Sequence, residues 1–155
     1  MEKCEAPKIE MVEYEISQQV SGQAKLVVAW RFTNPNNGML YVLIAHPRPI
    51  VTGHHVILDH LASDNSDELY FNVVPGFEFI AIAPAETIER LLSCHLELPG
   101  SFETITIVGK FGYNGVPPNP DWERTKNWTQ VAKWQQIGDS DPLSLRLKKS
   151  PGQVF

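Results

Sequence analysis

Four of the five histidines in this 155-residue chain, His46, His54, His55 and His60, fall within fifteen residues, and Asp59 lies among them. Imidazoles and carboxylates are the groups that zinc and nickel sites and general-base dyads are built from. A metal requires three or four of them to converge on one point. In an extended chain His54 and His60 share a face but stand about 20 Å apart, and His46 would have to approach from a neighbouring strand. Asp59 and His60 are adjacent, so they point to opposite faces and cannot work as a base and its orienting carboxylate. The nearest hydroxyls, Ser63 and Ser66, sit in Ser63-Asp64-Asn65-Ser66-Asp67, a run of turn formers. The expectation is therefore no catalytic residue, no metal and no cofactor. A metal-binding protein or enzyme using the 46–60 histidines stays open as an alternative.

Other chemistry is equally sparse. Glu13 and Glu15 share a strand face about 7 Å apart, with Glu10 close by, a spacing more typical of a solvated or aggregation-resistant edge than of an acid and a base. Gly109-Lys110-Phe111-Gly112-Tyr113-Asn114-Gly115 follows a strand and precedes prolines, with no helix to aim at a phosphate. The net charge of −5 argues against nucleic acid, which calls for clustered Lys and Arg. Residues 1–119 carry 7 basic and 14 acidic side chains, residues 120–155 carry 6 and 4. The start of the chain lacks a cationic region leading into an apolar run, and no 18-residue apolar stretch occurs. The expectation is a soluble cytoplasmic protein with no membrane contact. Cys94 shares parity with Leu92, Leu96 and Leu98 and reads as a buried reduced thiol, with a Cys4–Cys94 disulfide left open. Asn127-Trp128-Thr129 matches a glycosylation triplet and carries little weight without a secretory signal.

What would position any site is sheet. Ala24, Leu26, Val28, Trp30 and Phe32 occupy one parity, and Lys25, Arg31 and Thr33 the other, the period of a half-buried strand. Val12, Tyr14 and Ile16 alternate with Glu13 and Glu15 in a first strand. Asn34-Pro35-Asn36-Asn37-Gly38 is a cluster of turn formers. Met39 to Ala45 is apolar on both parities, which predicts a strand covered on both faces or one passing under the C-terminal segment. His46-Pro47-Arg48-Pro49 is expected to end it. Val56 to Ala62, then Leu69, Phe71 and Val73, then Phe77 to Ala83 read as further strands. Ile88 to Leu98 is one long strand, or a short helical turn from Pro84 to Leu92 followed by a strand. Pro99-Gly100 turns the chain into Ile105, Ile107, Gly109, Phe111 and Tyr113. Seven to eight strands without a long helix predict an all-β antiparallel sandwich over residues 1–115.

Phe32-Thr33-Asn34-Pro35 followed by Leu40-Tyr41-Val42-Leu43, Ala83-Pro84-Ala85-Glu86-Thr87, and Leu98-Pro99-Gly100-Ser101-Phe102 before an alternating strand resemble bacterial immunoglobulin-like β-sandwich domains. Small proteinase-inhibitor sandwiches are among these. The resemblance spans roughly residues 9–113 and lies in the turns, so it implies a fold and transfers no functional residue. Antibody domains differ by a spaced cysteine pair around a core tryptophan. This chain lacks the pair, and Trp30 alone could fill the tryptophan's place.

Residues 116–155 form a Trp-rich extension. Gly115-Val116-Pro117-Pro118-Asn119-Pro120 is a stiff linker, and Asn119 or Asp121 could cap a helix with Pro120 in its first turn. Trp122, Trp128 and Trp134 follow at intervals of six, scattered if the segment is helical and on one side if it is extended. They either seal the sandwich or, with Arg124 and Lys126, anchor a second protein or a second copy of the chain. Leu143, Leu145 and Leu147 alternate with polar residues in a last strand that returns to the sheet or is donated elsewhere. The reading that follows is a non-catalytic protein-interaction module. A proteinase inhibitor presenting loop 46–55 or 63–68 is its alternative.

Overall fold

The computed structural model describes residues 4–18, 23–63, 76–97 and 104–146, of which 61% lie in strands and 10% in helices. The strand expected at Leu69 to Val73, most of the 63–68 loop, and Leu147 lie outside the described residues.

In β1 (Lys8–Gln18) an extra residue shifts the alternation. A bulge between Met11 and Glu13 sets Ile9, Met11, Tyr14 and Ile16 opposite Phe32, Trp30, Val28 and Leu26. Val12 is thus not in phase with Tyr14, because a bulge adds one unpaired position and switches parity. The same shift keeps Glu10, Glu13 and Glu15 on the outer side. β2 (Gln23–Thr33) buries Ala24, Leu26, Val28, Trp30 and Phe32, the inward set its alternation predicts. β3 (Leu40–Ala45) is apolar on both parities because both its faces are covered.

Pro47 to Thr52 departs from expectation. β4 (Arg48–Thr52) and β5 (His55–Asp59) form a hairpin turning at Gly53, whose φ of 60° suits glycine. Pro49 is tolerated because β4 is an edge strand, where one side of the backbone needs no partner. The segment 46–55 expected as a loop accordingly contributes β4 and the turn of a laddered hairpin. β6 (Phe77–Ile82) leads through Ala85, at a φ of 64°, into β7 (Thr87–Glu97), so the helical alternative for 84–92 does not form. β8 (Thr104–Asn114) follows, then α1 (Asp121–Thr125), α2 (Trp128–Trp134), β9 (Gln136–Asp139) and β10 (Leu143–Arg146).

Two sheets result. The first is antiparallel, in the order β1-β2-β7. The second is organised on β8, which pairs with β9 and β10 along one edge and with β5 and β3 along the other. β4 lies beyond β5 and β6 beyond β3, so the sheet forks. β5 and β8 run parallel, which corrects the all-antiparallel expectation. A parallel pair needs a long crossover, and the chain between them supplies it by visiting the other sheet as β7. The final strand returns to its own sheet, and Leu145 is fully buried there.

One core fills the space between the sheets. At its centre Trp30 meets Phe111 edge-on at 5.2 Å, and Phe32 meets the same ring at 4.9 Å. Gly109 makes room for the indole: a Cβ there would stand 2.6 Å from a Trp30 ring carbon. Asn34, 1% exposed, donates from Nδ2 to the carbonyls of Gly38 and Ile82, both at 2.8 Å, and accepts from the Asn36 amide at 2.8 Å. This buried amide ties the end of β2 to β6 in the other sheet with its polar atoms satisfied.

Candidate functional site

The histidine run does not form one site. His46 is exposed after β3, His54 and His55 lie with tilted rings 4.3 Å apart at the β4–β5 turn, and His60 is fully buried. Among the described residues no group of three or more His, Cys, Asp or Glu could hold a metal ion. Asp59 and His60 point to opposite faces. Asp59 pairs with Arg48 at 3.1 Å and accepts from the Leu61 amide at 2.9 Å.

His60 occupies the fork of the second sheet. Its amide donates to the Lys110 carbonyl at 2.9 Å, and its Nδ1 lies 2.7 Å from the Ala45 carbonyl. A carbonyl only accepts, so Nδ1 carries the proton and Nε2 is the acceptor. The ring stacks on Phe111 at 4.2 Å and meets Trp30 edge-on at 6.2 Å. Nε2 of His60 and Nε1 of Trp30 are buried without a partner among the described residues. Burial pushes the imidazole pKa down to about 4, and nearby His46 lowers it further against the opposing pull of the Ala45 carbonyl. A neutral, enclosed ring of this kind completes the sheet where β3 and β5 end.

The tryptophan segment forms a cap on the outer face of the second sheet. Two short helices replace the single helix or strand that six-residue spacing allowed. Asn119 Oδ1 accepts from the Asp121 amide at 2.9 Å before α1, and Asn127 Oδ1 accepts from the Gln130 amide at 3.3 Å at the start of α2. Trp128, 6% exposed, and Val131 pack with Leu43, Ala45 and Ala62, and Trp122 and Trp134 lie against this cluster. Phe77 touches Trp128 with centroids at 4.6 Å, and Phe79 touches Trp134 at 5.2 Å. Trp128 is buried in this packing, whereas Trp122 and Trp134 are half-buried. Arg124 stands in solvent, paired with Asp121 at 3.2 Å, and Lys126 is exposed at a left-handed φ of 51°.

Side-chain hooks pin the cap, and the sequence reading missed them. Gln135 accepts from the Ala62 amide and donates to its carbonyl, both at 2.9 Å. Asn114 Nδ2 donates to the Trp134 carbonyl at 2.6 Å, and Trp134 Nε1 donates to the Val116 carbonyl at 2.8 Å. No periodicity announces such contacts. The only sequence signal was polar side chains beside an aromatic-rich run.

The outer face of the β1-β2-β7 sheet carries no such layer among the described residues. Along it run Glu10-Arg31-Glu89, Glu13-Ala29-Leu91, Glu15-Val27-Ser93 and Ser17-Lys25-His95, each row one residue per strand. Leu91 is 69% exposed, more than any other large apolar side chain described. Glu10 pairs with Lys8 and Glu89 with Arg31, while Glu13 and Glu15 have no ion pair among the described residues. At one end the face meets β4 in an open cleft of about 580 Å³, lined by Gln23, Pro49, Val51, His95, Leu96 and Glu97.

Cys4 is half-buried and Cys94 is buried. Both thiols are free, and burial raises both pKa values, that of Cys94 to about 11. Comparisons with family models, curated proteins and solved structures find no match to this chain.

Proposed function

We propose that this chain is a non-catalytic protein-interaction module of immunoglobulin-like build that docks another protein on the outer face of β1-β2-β7. The observation that carries the reading is Leu91, held 69% exposed halfway along the edge strand β7 on a sheet face that no other element covers among the described residues. A strand position with Ala29 and Val27 as neighbours presents a flat apolar strip, and charged side chains surround it. Interfaces combine such an apolar centre with a polar rim. The cleft beside β4 adds a notch in which Pro49 and Val51 can receive an apolar anchor while His95, Glu97 and Gln23 meet its polar atoms.

The immunoglobulin-like description is supported by two sheets about one core, with Trp30 at its centre on β2, and by the Asn34 turn that ties the sheets. The parallel β5–β8 pair sets it apart. Cytoplasmic residence is supported by two free thiols. Arg124 and Lys126, on the exposed side of the cap, are a secondary contact.

Quantitative co-purification tests the reading. Proteins captured by the wild-type chain are expected to be lost with Leu91→Asp and retained with Ile50→Asp, an exposed apolar position on the other sheet. Equal capture by all three removes the face from the function. Sedimentation of the purified chain distinguishes a second copy from a different protein as the partner.

A further inference from the structure

We propose that His60 is an acid-sensitive latch that holds the α1–α2 cap on the second sheet and releases it, with the β1-β2-β7 sheet intact, when the imidazole takes up a proton. The geometry puts the ring at the one corner where β3, β5 and β8 meet the cap. It bonds the Ala45 carbonyl, its amide bonds the Lys110 carbonyl, and two residues later Ala62 is gripped by Gln135 at the end of α2. Ala45 and Ala62 also belong to the apolar cluster under Trp128 and Val131. The cluster is separate from the main core, so it can open with the β2–β7 side of that core in place, and only the sides of Phe111 and Trp30 that face His60 are uncovered.

A proton on Nε2 has no acceptor. Nε2 is enclosed without a partner among the described residues, and the nearest ring edges belong to Phe111 and to Trp30, whose own N–H is a donor. The charged groups around this corner do not compensate. His46, from the β3–β4 connection, adds positive charge when protonated. Asp59 on β5 is turned away and paired with Arg48 of β4, and Lys110 on β8 is paired with Asp139 of β9. The cap itself reaches the corner through neutral Gln135. An imidazolium therefore gains by swinging to water, and residues 60–62 must leave with it, breaking the Gln135 grip.

The sign follows from the direction of the shift. Above the ordinary histidine pKa of 6.5 the ring is neutral in open and closed forms, and the latch is at full strength. As pH falls from there towards about 4, the open form binds the proton first and the latch weakens.

Hydrogen exchange on the intact chain between pH 7 and 4.5 tests this, read as protection factors so that intrinsic rates cancel. The Ala62 and Gln135 amides, which report the grip and the end of α2, are expected to lose at least tenfold protection while the β2 amides keep theirs. His60→Asn, which can donate to a carbonyl without titrating, is expected to abolish the pH dependence. Should that variant not fold, the imidazole resonances of the wild type decide: the opening must track the His60 midpoint. Loss of β2 protection at the same pH, unchanged cap protection, or opening that tracks His46 would each overturn the latch.

Discussion

The molecule contains two aromatic layers, and they are built by different means. The inner layer, Trp30, Phe32 and Phe111, lies between the sheets, and every ring reaches it from a strand position of the correct parity. The outer layer, Phe77, Phe79, Trp122, Trp128 and Trp134, lies between the second sheet and the helices. Its helices have 5 and 7 residues, too short to be stable alone. Individual hydrogen bonds from Gln135, Asn114 and Trp134 hold them. A layer made by periodicity fails only when the fold fails, whereas a layer held by a few hooks can fail by itself.

The sharpest way to break this comparison is at the inner layer. Trp30→Ala removes the indole that contacts Phe111 and fills the space over Gly109, and should cost about 3–5 kcal/mol in urea denaturation. An unchanged midpoint would mean that Trp30 is not the centre of the core. The corresponding outer change, Trp128→Ala, should cost about 3 kcal/mol in opening of the cap, the low end for a buried tryptophan, since the cluster it belongs to is small. Exchange protection at Ala62 should fall in that variant more than protection across β2. Equal losses at both places would show one cooperative unit and erase the distinction between the layers.

The difference also decides how much was legible in the residues alone. β2 and β8 were readable because their alternation is uninterrupted, and Met39 to Ala45 announced both of its covers by being apolar on both parities. β4 was not readable, because Pro49 is a strand breaker everywhere except on an edge, and whether a strand is an edge is a property of the whole sheet. The bulge in β1 was hidden for a related reason: one unpaired residue switches parity without altering composition. The parallel β5–β8 pair depends on a crossover through the other sheet, which no local pattern encodes. Of the candidate site, Trp122, Trp128 and Trp134 were singled out by composition, but their direction depends on Gln135 and Asn114, whose partners are distant in sequence. Leu91 stands on the outward parity of β7, opposite to Ile88, Leu92, Cys94 and Leu96, so alternation alone puts it outside, but nothing in composition marks it as a contact.

A smaller effect sharpens the role of the hooks. Gln135→Ala removes two hydrogen bonds to Ala62 and leaves that residue's amide and carbonyl to find water, which should cost about 1–2 kcal/mol of cap stability. Tryptophan fluorescence should shift to the red as the cap loosens, while the near-ultraviolet signal of the inner rings is retained. A variant with wild-type fluorescence and wild-type exchange would show that apolar packing alone holds the cap.

The smallest expected change in stability carries the most functional information. Leu91 lies on the outer face of β7 opposite Ala29, 69% exposed, and buries little apolar surface in the isolated chain. Leu91→Asp should therefore alter the denaturation midpoint by less than about 0.5 kcal/mol, as exposed substitutions generally do. At a docking face the same change places a carboxylate on the apolar strip, next to Glu89 and in one row with Glu13 across β2, where bringing up a partner would strip it of water. Association should then weaken by at least tenfold, measured by titration calorimetry against the co-purified partner. Charge contrast distinguishes this from a general electrostatic effect: Leu91→Asn, neutral and polar, should weaken binding less than Leu91→Asp, and both should leave Ala62 exchange unaltered. If both variants bind as the wild type does, the bare face is a solvated surface and the exposed Leu91 has no part in recognition.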